Sequence, residues 1–442
     1  MIYIVFYNEN VQLINQQNCV CLSANIKPLL LTHILCYTNF MEKCFDSIIV
    51  GGGASGLFAA CILGEAGVKV ALIEKNSRVG KKLLTTGNGR CNLTNIESAA
   101  DVVRYAKNYN AQDFVITAFN SFGVKDTLNY FNGLGLLTAT EDFCVYPATF
   151  FASTVLDVLR QKLTKENVAI FCDCEVREVT HGGGIYTLNK SGGGFKCKNL
   201  IMCGGGLSRV AENSCYGILQ GLGIKIKKCR PALLPVKCSS PFLKGLNGVR
   251  ARVKATLLEK GKIIDTSIGE VLFKDYGLSG IVIFQLTASG VEGREISINL
   301  LPNVENPFEM FAKRVEQNPR YTAAEIMTGV LCRQLSENVL AGAKIKPDES
   351  AKNIDTAQLT NACTSVVFTD LSPASYELSQ VTAGGVELDF IEPVTMRCKN
   401  KEGLYICGEL LDVHGKCGGY NLQFAWTSGA LAAKDIIKNL KK

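Results

Sequence analysis

Histidine is scarce, with three in 442 residues, and no two of the 19 cysteines form a C-x-x-C pair. The closest pairs, Cys19 with Cys21 and Cys172 with Cys174, leave one residue between them. A zinc ribbon, a dithiol redox motif and a histidine-rich metal centre are thereby excluded. Free thiols in a reducing cytoplasm are expected over a disulfide framework. Dense runs of Lys and Arg are absent as well. The net charge of +7 has no basic helix or stripe behind it, so it supports only a weak attraction for acidic or phosphorylated ligands and no nucleic-acid partner. Residues 1–43 carry no basic residue before Lys27, where a secretory signal would have one. Their most apolar piece, Pro28 to Tyr37, is far short of the roughly 20 residues that span a bilayer. This stretch is expected to be an accessory or poorly ordered extension without membrane contact, Met41 opening the functional body. A strand or helix added to the main domain is the alternative.

What is present is a globular balance of 47% apolar and 20% charged residues, in a chain long enough for two or three domains. Ser47 to Val50 reads as a buried strand, Ala54 to Ala66 as a helix closed by Gly67, and Lys69 to Ile73 as a second strand ending at Glu74. Between the first strand and the helix stand Gly51, Gly53 and Gly56 in G-x-G-x-x-G spacing. Strand, turn, helix and strand within about 30 residues are the context that gives this spacing meaning. Gly51 permits the tight turn, Gly53 lets backbone approach a pyrophosphate, and Gly56 allows close packing of helix on strand. The first N–H groups of the helix, from Ala54 and Ser55 onward, meet phosphate charge, and Glu74 accepts from ribose hydroxyls. The unit announces an ADP-containing cofactor and leaves FAD against NAD open.

Further along, Ile96 to about Asn129 is helical, His181 to Leu200 is hairpin material, and Leu200 to Cys203 is a strand running into Gly204, Gly205 and Gly206. No acidic strand follows that cluster at the right distance, so an independent nicotinamide site is not expected there. From Pro231 the pattern changes. Val249 to Glu259, Lys262 to Ser267 and Ile281 to Thr287 read as short strands of an antiparallel sheet or barrel, and Pro307 to Lys344 as helical. Leu422 to about Leu440 is a C-terminal helix with a basic last turn. The expected architecture is an α/β, Rossmann-like FAD-binding fold of the two-dinucleotide-binding-domain type, interrupted by a small β-barrel-like domain and a helical domain. The divisions fall at 1–43 (extension), 44–230 (first part), 231–305 (β-rich insert), 306–358 (helical insert), 359–381 (β-rich return) and 382–442 (C-terminal part).

Other segments suit a ligand. Gly87 and Gly89 bring backbone donors close, and Arg90 offers a guanidinium fork to a phosphate or a flavin oxygen, or else pairs with a surface carboxylate. Cys91 is a candidate nucleophile or a buried structural thiol. Gly418 and Gly419 precede the C-terminal helix, whose first N–H groups are suited to the negative charge of a reduced flavin. Glu409 and Asp412 lie in the approach to it. His414, in the same approach, is a candidate for proton transfer or a structural histidine.

Three blocks carry a resemblance. The first is Gly80-Lys81-Lys82-Leu83-Leu84 with Gly87-Asn88-Gly89-Arg90-Cys91-Asn92; the second is Gly269 to Phe273 with Tyr276 to Gly280. The third runs from Thr382-Ala383-Gly384-Gly385-Val386 through Gly403-Leu404-Tyr405 and Gly408-Glu409 to Gly418-Gly419-Tyr420-Asn421-Leu422-Gln423. From about Phe45 to Lys438 the chain resembles the bacterial flavoproteins described as BaiN-type reductases or aminoacetone-oxidase-like FAD enzymes. The resemblance implies FAD, with Lys75, Lys82, Asn92, Gly204, Gly205, Gly408, Tyr420, Asn421 and Leu422 joining the residues above around it. It also implies NAD(P)H as a transient electron donor and a small-molecule substrate. Reduction of an activated C=C bond in a hydrophobic enone is the activity expected, with oxidation of a small amine or aminoketone, or an RNA-associated FAD protein, as alternatives. The chain departs from the family at Cys203 to Ser208 and at Glu212 to Gly217, where the local pocket is expected to differ.

Overall fold

The computed structural model describes residues 2–7, 10–15, 18–22, 43–190, 193–208 and 214–441. Residues 23–42, and Glu212 and Asn213 in the departing segment, lie outside the described residues. Within the extension, Ile2–Tyr7, Asn10–Asn15 and Asn18–Leu22 form an antiparallel three-stranded sheet of their own.

Lys43–Val50 ends in four buried residues, Ser47 to Val50, as befits a strand covered on both faces. It is central in a seven-stranded sheet, flanked by parallel Val70–Ile73 and Gly193–Met202. Ala169–Phe171 extends the parallel array beyond Val70–Ile73, and Leu404–Ile406 pairs in parallel with Gly193–Met202. Antiparallel Ile185–Lys190 and Glu178–Gly182 complete the sheet. The register sets Val50 beside both Ile73 and Met202, and Met202 beside Ile406. Strands from three distant parts of the chain therefore finish at one edge, the edge at which open α/β sheets bind ligands.

The helix Ala54–Glu65 is buried from Ser55 to Gly64, so it has no solvent face and must be enclosed. Its cover is the C-terminal helix, Tyr420–Leu440. The two backbones touch: a Cβ on Gly429 would lie 2.4 Å from the Ser55 carbonyl oxygen. Trp426, fully buried on the same helix, packs its ring 5.4 Å from Phe58 and 5.1 Å from Phe131, and its Nε1–H donates to the Leu93 carbonyl at 3.0 Å.

A second hydrophobic core runs from Val236 to Leu371. It lies under an antiparallel seven-stranded sheet built on Arg250–Glu259 and Lys262–Lys274, and under the helices Pro307–Gln317, Ala323–Met327, Arg333–Gly342 and Thr356–Thr364. The chain passes between the cores along one antiparallel pair, Ile226–Ala232 with Val381–Val386. The expectation of a strand at Ile281 to Thr287 is corrected: this segment is an α-helix. Gly280, at φ 97°, makes the turn that starts it, and Val282, Ile283, Leu286 and Thr287 bury one helical face. A short aliphatic run suits either element, and packing on Lys262–Lys274 decides it.

Replacing Trp426 with Ala removes the largest buried side chain at this junction and leaves the Leu93 carbonyl unpaired. A loss of about 3–5 kcal/mol is expected, read by chemical denaturation, whereas Val103→Ala, at a 57% exposed site, should change stability by less than about 0.5 kcal/mol.

Candidate functional site

At the shared strand edge, a cavity of about 160 Å³ is lined by Gly51 to Gly53, Glu74 to Asn76, Lys82, Gly204 to Gly206 and Ser208, among others. The three turn glycines have separate duties. Gly51 is at φ 108°, and a Cβ there would lie 2.3 Å from the Cys203 carbonyl oxygen; a Cβ on Gly56 would lie 2.0 Å from the Gly51 carbonyl oxygen. Both are demanded by the protein's own packing. Gly53 is different: its φ of −85° suits any residue, and a Cβ would meet nothing within 4 Å. Its front is open to a ligand. Glu74, 8% exposed, accepts from the Gly52 N–H at 2.8 Å with Oε2 and from Asn76 N–H (2.8 Å) and Nδ2 (2.5 Å) with Oε1. The carboxylate thus stands at the end of the second strand, where an adenosine ribose needs an acceptor. The open Gly53 cradle, the helix start and Glu74 fit the ADP half of FAD.

Glu409 does not face phosphate as a bare charge. Lys82 Nζ lies 2.6 Å from its Oε2, while Oε1 accepts from Ser208 Oγ at 3.0 Å and from the Thr382 N–H at 2.8 Å. Lys82 also donates to Ser208 Oγ, and Thr382 Oγ1 accepts from the N–H groups of Leu207 (2.7 Å) and Ser208 (3.0 Å). This cluster ties the 80s loop, the glycine-rich strand end, the Val381–Val386 strand and the Gly408–Leu410 turn to one another. Thr382 and Ser208 were not among the sequence candidates: each stands at the end of a glycine-rich segment whose glycines drew the assignment, and a hydroxyl has no periodic signal of its own.

The loop from Gly87 to Asn92 turns tightly, with Gly87, Asn88, Gly89 and Cys91 all at positive φ. Arg90 points to Glu141, at 2.6 Å, and stacks over Tyr146 and Phe150 with its guanidinium 4.4 and 4.5 Å from the ring centres. Of the two roles weighed for it, the surface ion pair is the one formed here. Cys91 is fully buried, and burial pushes its thiol up to about 12, the environment of a structural thiol. Asn92 reaches the C-terminal helix: oriented to satisfy both ends of its amide, it donates to the Thr94 carbonyl (2.9 Å) and accepts from the Gly419 N–H (3.2 Å).

Around that helix start, Tyr420 is buried against Tyr105 and Tyr109, and Tyr109 OH donates to its carbonyl at 2.7 Å. Asn421 closes the preceding loop, accepting from the Gly415 N–H and donating to the carbonyls of Gly415 and Lys416. Leu422 is half-buried. Gln423, wholly buried, accepts from Thr94 Oγ1 and donates to Thr127 and Thr427. Gly408, at φ 66°, would clash through a Cβ with Ser55 Oγ at 2.8 Å, and its N–H donates to Ser428. Ala54 is half-buried at the start of its helix, and Lys75, Gly204 and Gly205 line the cavity beside Glu74.

A second and larger cavity, about 520 Å³, is lined in part by the 412–416 loop. His414 lines it, 7% exposed, with Nδ1 unpartnered. Burial, reinforced by Arg230, holds its imidazole down at about 4, so it is neutral at neutral pH. Asp412 Oδ2 accepts from Lys227 Nζ at 2.8 Å, and Oδ1 accepts from the Gly384 N–H at 3.0 Å. Among the described residues, no cluster of three or more metal-ligating side chains exists, and no helix is long and apolar enough to cross a membrane.

A glycine turn at the carboxyl edge of a parallel sheet, an acidic residue closing the second strand and a C-terminal helix returning to cover both define a Rossmann-type FAD-binding flavoprotein. The chain belongs to the HI0933-like protein Rossmann domain family, which it matches over residues 45–435. It is 33% identical over 405 residues to the 3-dehydro-bile acid delta(4,6)-reductase of Clostridium scindens, covering 87% of this chain and 97% of that one. It is 30% identical over 414 residues to the ribosomal RNA dihydrouridine synthase of Escherichia coli, covering 90% and 99%. Among solved structures, the 3-ketosteroid-delta4-(5alpha)-dehydrogenase of Rhodococcus jostii is similar at a TM-score of 0.48 and 12% identity, over 90% and 97% of the two chains. Membership makes the chain a flavin-dependent oxidoreductase.

Two expectations follow from the geometry. Gly53→Val should fold normally and yet lose at least about tenfold in FAD affinity, because its side chain enters ligand space, whereas Gly56→Val should fail to fold; thermal melting and flavin content of the purified variants separate them. For His414, a pKa lowered in the folded state means that folding stability is unaffected above about 6.5 and falls as pH drops from about 6.5 towards about 4. A non-titrating His414→Gln variant should gain on wild type in melting temperature between pH 7 and pH 5, and an unchanged gap would show that His414 titrates as an ordinary histidine.

Proposed function

We propose that this flavoenzyme reduces a C=C bond conjugated with a carbonyl group, taking its electrons from NAD(P)H. The observation that carries the reading is that one short segment reaches both cavities: Glu409 is ion-paired with Lys82 of the nucleotide cavity, and Asp412 and His414 line the larger one. This segment would bring a cofactor held at the first close to an occupant of the second. The names of the two relatives above support the same chemistry, since a delta(4,6)-reductase and a dihydrouridine synthase each saturate a C=C bond conjugated with a carbonyl.

FAD, when bound, supplies a reversible two-electron carrier. The protein's part is to hold and insulate it. The Gly53 backbone and the start of the Ala54–Glu65 helix would take the pyrophosphate, Glu74 the adenosine ribose, and Lys82 with Ser208 and Glu409 the next portion of the chain of hydroxyls and phosphates. The loop from Gly415 to Gly419, braced by Asn92 and Asn421, would enclose the ring end. The net reaction consumes NAD(P)H, one proton and the alkene, and returns NAD(P)+ and the saturated carbonyl compound. His414, neutral at neutral pH, serves as a hydrogen-bonding group and not as an imidazolium acid. The free thiols of the described residues suit a reducing cytoplasm, where we place the enzyme.

A uracil ring in RNA is a second reading, favoured by the dihydrouridine synthase relative. The purified protein is expected to be yellow, and anaerobic NADH or NADPH should bleach it. An α,β-unsaturated ketone should then restore the colour with formation of the saturated ketone by mass spectrometry. Reduction by a small amine in place of either nicotinamide would overturn the assignment in favour of an oxidase, and dihydrouridine formed only in added RNA would establish the second reading.

A further inference from the structure

We propose that the larger cavity is the substrate chamber and that it selects an anionic substrate, one whose carboxylate or phosphate is received by Arg230 and Lys228 while its polar body meets His414. This rests on the flavin-reductase reading above and adds the substrate class to it.

Cavities of about 300–1,000 Å³ are those that enclose small molecules, and this one, at about 520 Å³, is within that range. Its wall is contributed by both cores: Gln285, Ala288 and Ser289 from the helix of the β-rich part and the turn after it, and Ala383, Gly384 and the 412–416 loop from the flavin-binding part. Gln285 locks the two sides together, accepting from the Cys417 N–H at 3.1 Å and donating to the Cys417 carbonyl at 3.2 Å. A chamber shared between a cofactor domain and an inserted domain is where a substrate is brought to a bound cofactor.

The charge on the wall is unbalanced. Lys107, Lys227, Lys228, Arg230 and Lys416 line the cavity against two carboxylates, Asp265 and Asp412. Asp412 is already satisfied by Lys227, the Gly384 N–H and the Asn110 side chain. Among the described residues, Lys107, Lys228, Arg230 and Lys416 form no salt bridge. The half-buried Arg230 spends one donor on the Ala288 carbonyl at 2.7 Å, which steadies the guanidinium beside the cavity with further donors to offer. Like charges gathered around a partly enclosed space repel one another and are relieved by an anion.

His414 belongs to the same wall, with its ring buried and its Nδ1 enclosed by protein without a hydrogen-bond partner. The ring lines the cavity beside Arg230, so it offers the occupant a neutral surface next to the cation. A cationic rim and a neutral polar contact on one wall describe a molecule with an acid group at one end and a hydrogen-bonding group, such as the carbonyl of a conjugated ketone, at the other.

The acid has two sources that matched pairs of probes distinguish. One pair is a 3-oxo-4-ene steroid carboxylic acid and its methyl ester; the other is uridine 5′-monophosphate and uridine. Binding to the FAD-loaded protein is measured by calorimetry, which needs no turnover. The acid of at least one pair is expected to bind about tenfold or more tightly than its neutral partner, with the preference weakening as salt is raised. Arg230→Met should abolish most of it. Lys228→Glu, at an exposed position that folding tolerates, should lower the acid's affinity and leave the neutral partner's unchanged. The pair that shows the preference identifies a carboxylate or a phosphate as the group received. Equal binding of acid and neutral forms in both pairs, no binding by either acid, or a preference that survives both substitutions would each overturn the inference. Calorimetry on protein that refuses FAD but keeps the acid preference would sink the flavin reading alone; full FAD loading without the preference would sink only the chamber's anion selectivity.

Discussion

The contact between Ser55 and Gly429 is the constraint on which the remaining architecture depends. With no side chain at Gly429, the C-terminal helix lies directly on the first helix of the nucleotide-binding unit. Everything that the C-terminal segment brings to the site is set by that approach. Trp426 is driven between Phe58 and Phe131, Gln423 reaches Thr94 and Thr127, and the helix start is held where Asn92 meets Gly419. Gly408 obeys the same rule from the other side, since any Cβ there would strike Ser55 Oγ. A side chain at either glycine would lever the flavin-facing loop away from the sheet edge, because closely packed interiors transmit such displacements.

Electrostatics along that loop repeat one device. Glu409 and Asp412, three residues apart, each take a lysine from a distant element, Lys82 and Lys227, and each accepts a backbone N–H from the Val381–Val386 strand, at Thr382 and Gly384. The carboxylates thereby fasten the loop to the strand that carries the chain between the two cores. Both are neutralised within the protein, so neither repels an anionic ligand. What remains uncompensated is the cationic wall beyond Asp412, which a purely hydrophobic substrate would leave unpaired.

Local pattern served well where one short segment holds the whole signal. The strand, glycine turn, helix and Glu74 are contiguous, and the duties assigned to Gly51 and Gly56 from spacing match the clashes a Cβ would cause. Local pattern served less well where an element depends on its neighbours. Ile281 to Thr287 has the composition of a strand, yet it coils because Gly280 turns the chain back onto Lys262–Lys274 and one apolar face finds cover there. Arg90 sits in a glycine-rich loop suited to phosphate, yet Glu141, Tyr146 and Phe150 surround its guanidinium. No spacing rule joins residues so far apart.

The sequence by itself determined the class of cofactor, because the backbone geometry that receives a pyrophosphate is encoded by glycines within a few residues of one another and by the helix they introduce. Only the tertiary structure decided which charges are spent and which are left over. Lys82, Lys227 and Arg230 are equivalent in composition, each adding one positive charge to the total of +7. Folding pairs the first two with Glu409 and Asp412 and leaves the third, on the cavity wall that it shares with His414, without a carboxylate partner among the described residues. A charge's meaning is set by what lies within a few ångströms of it, and that distance is a property of the fold.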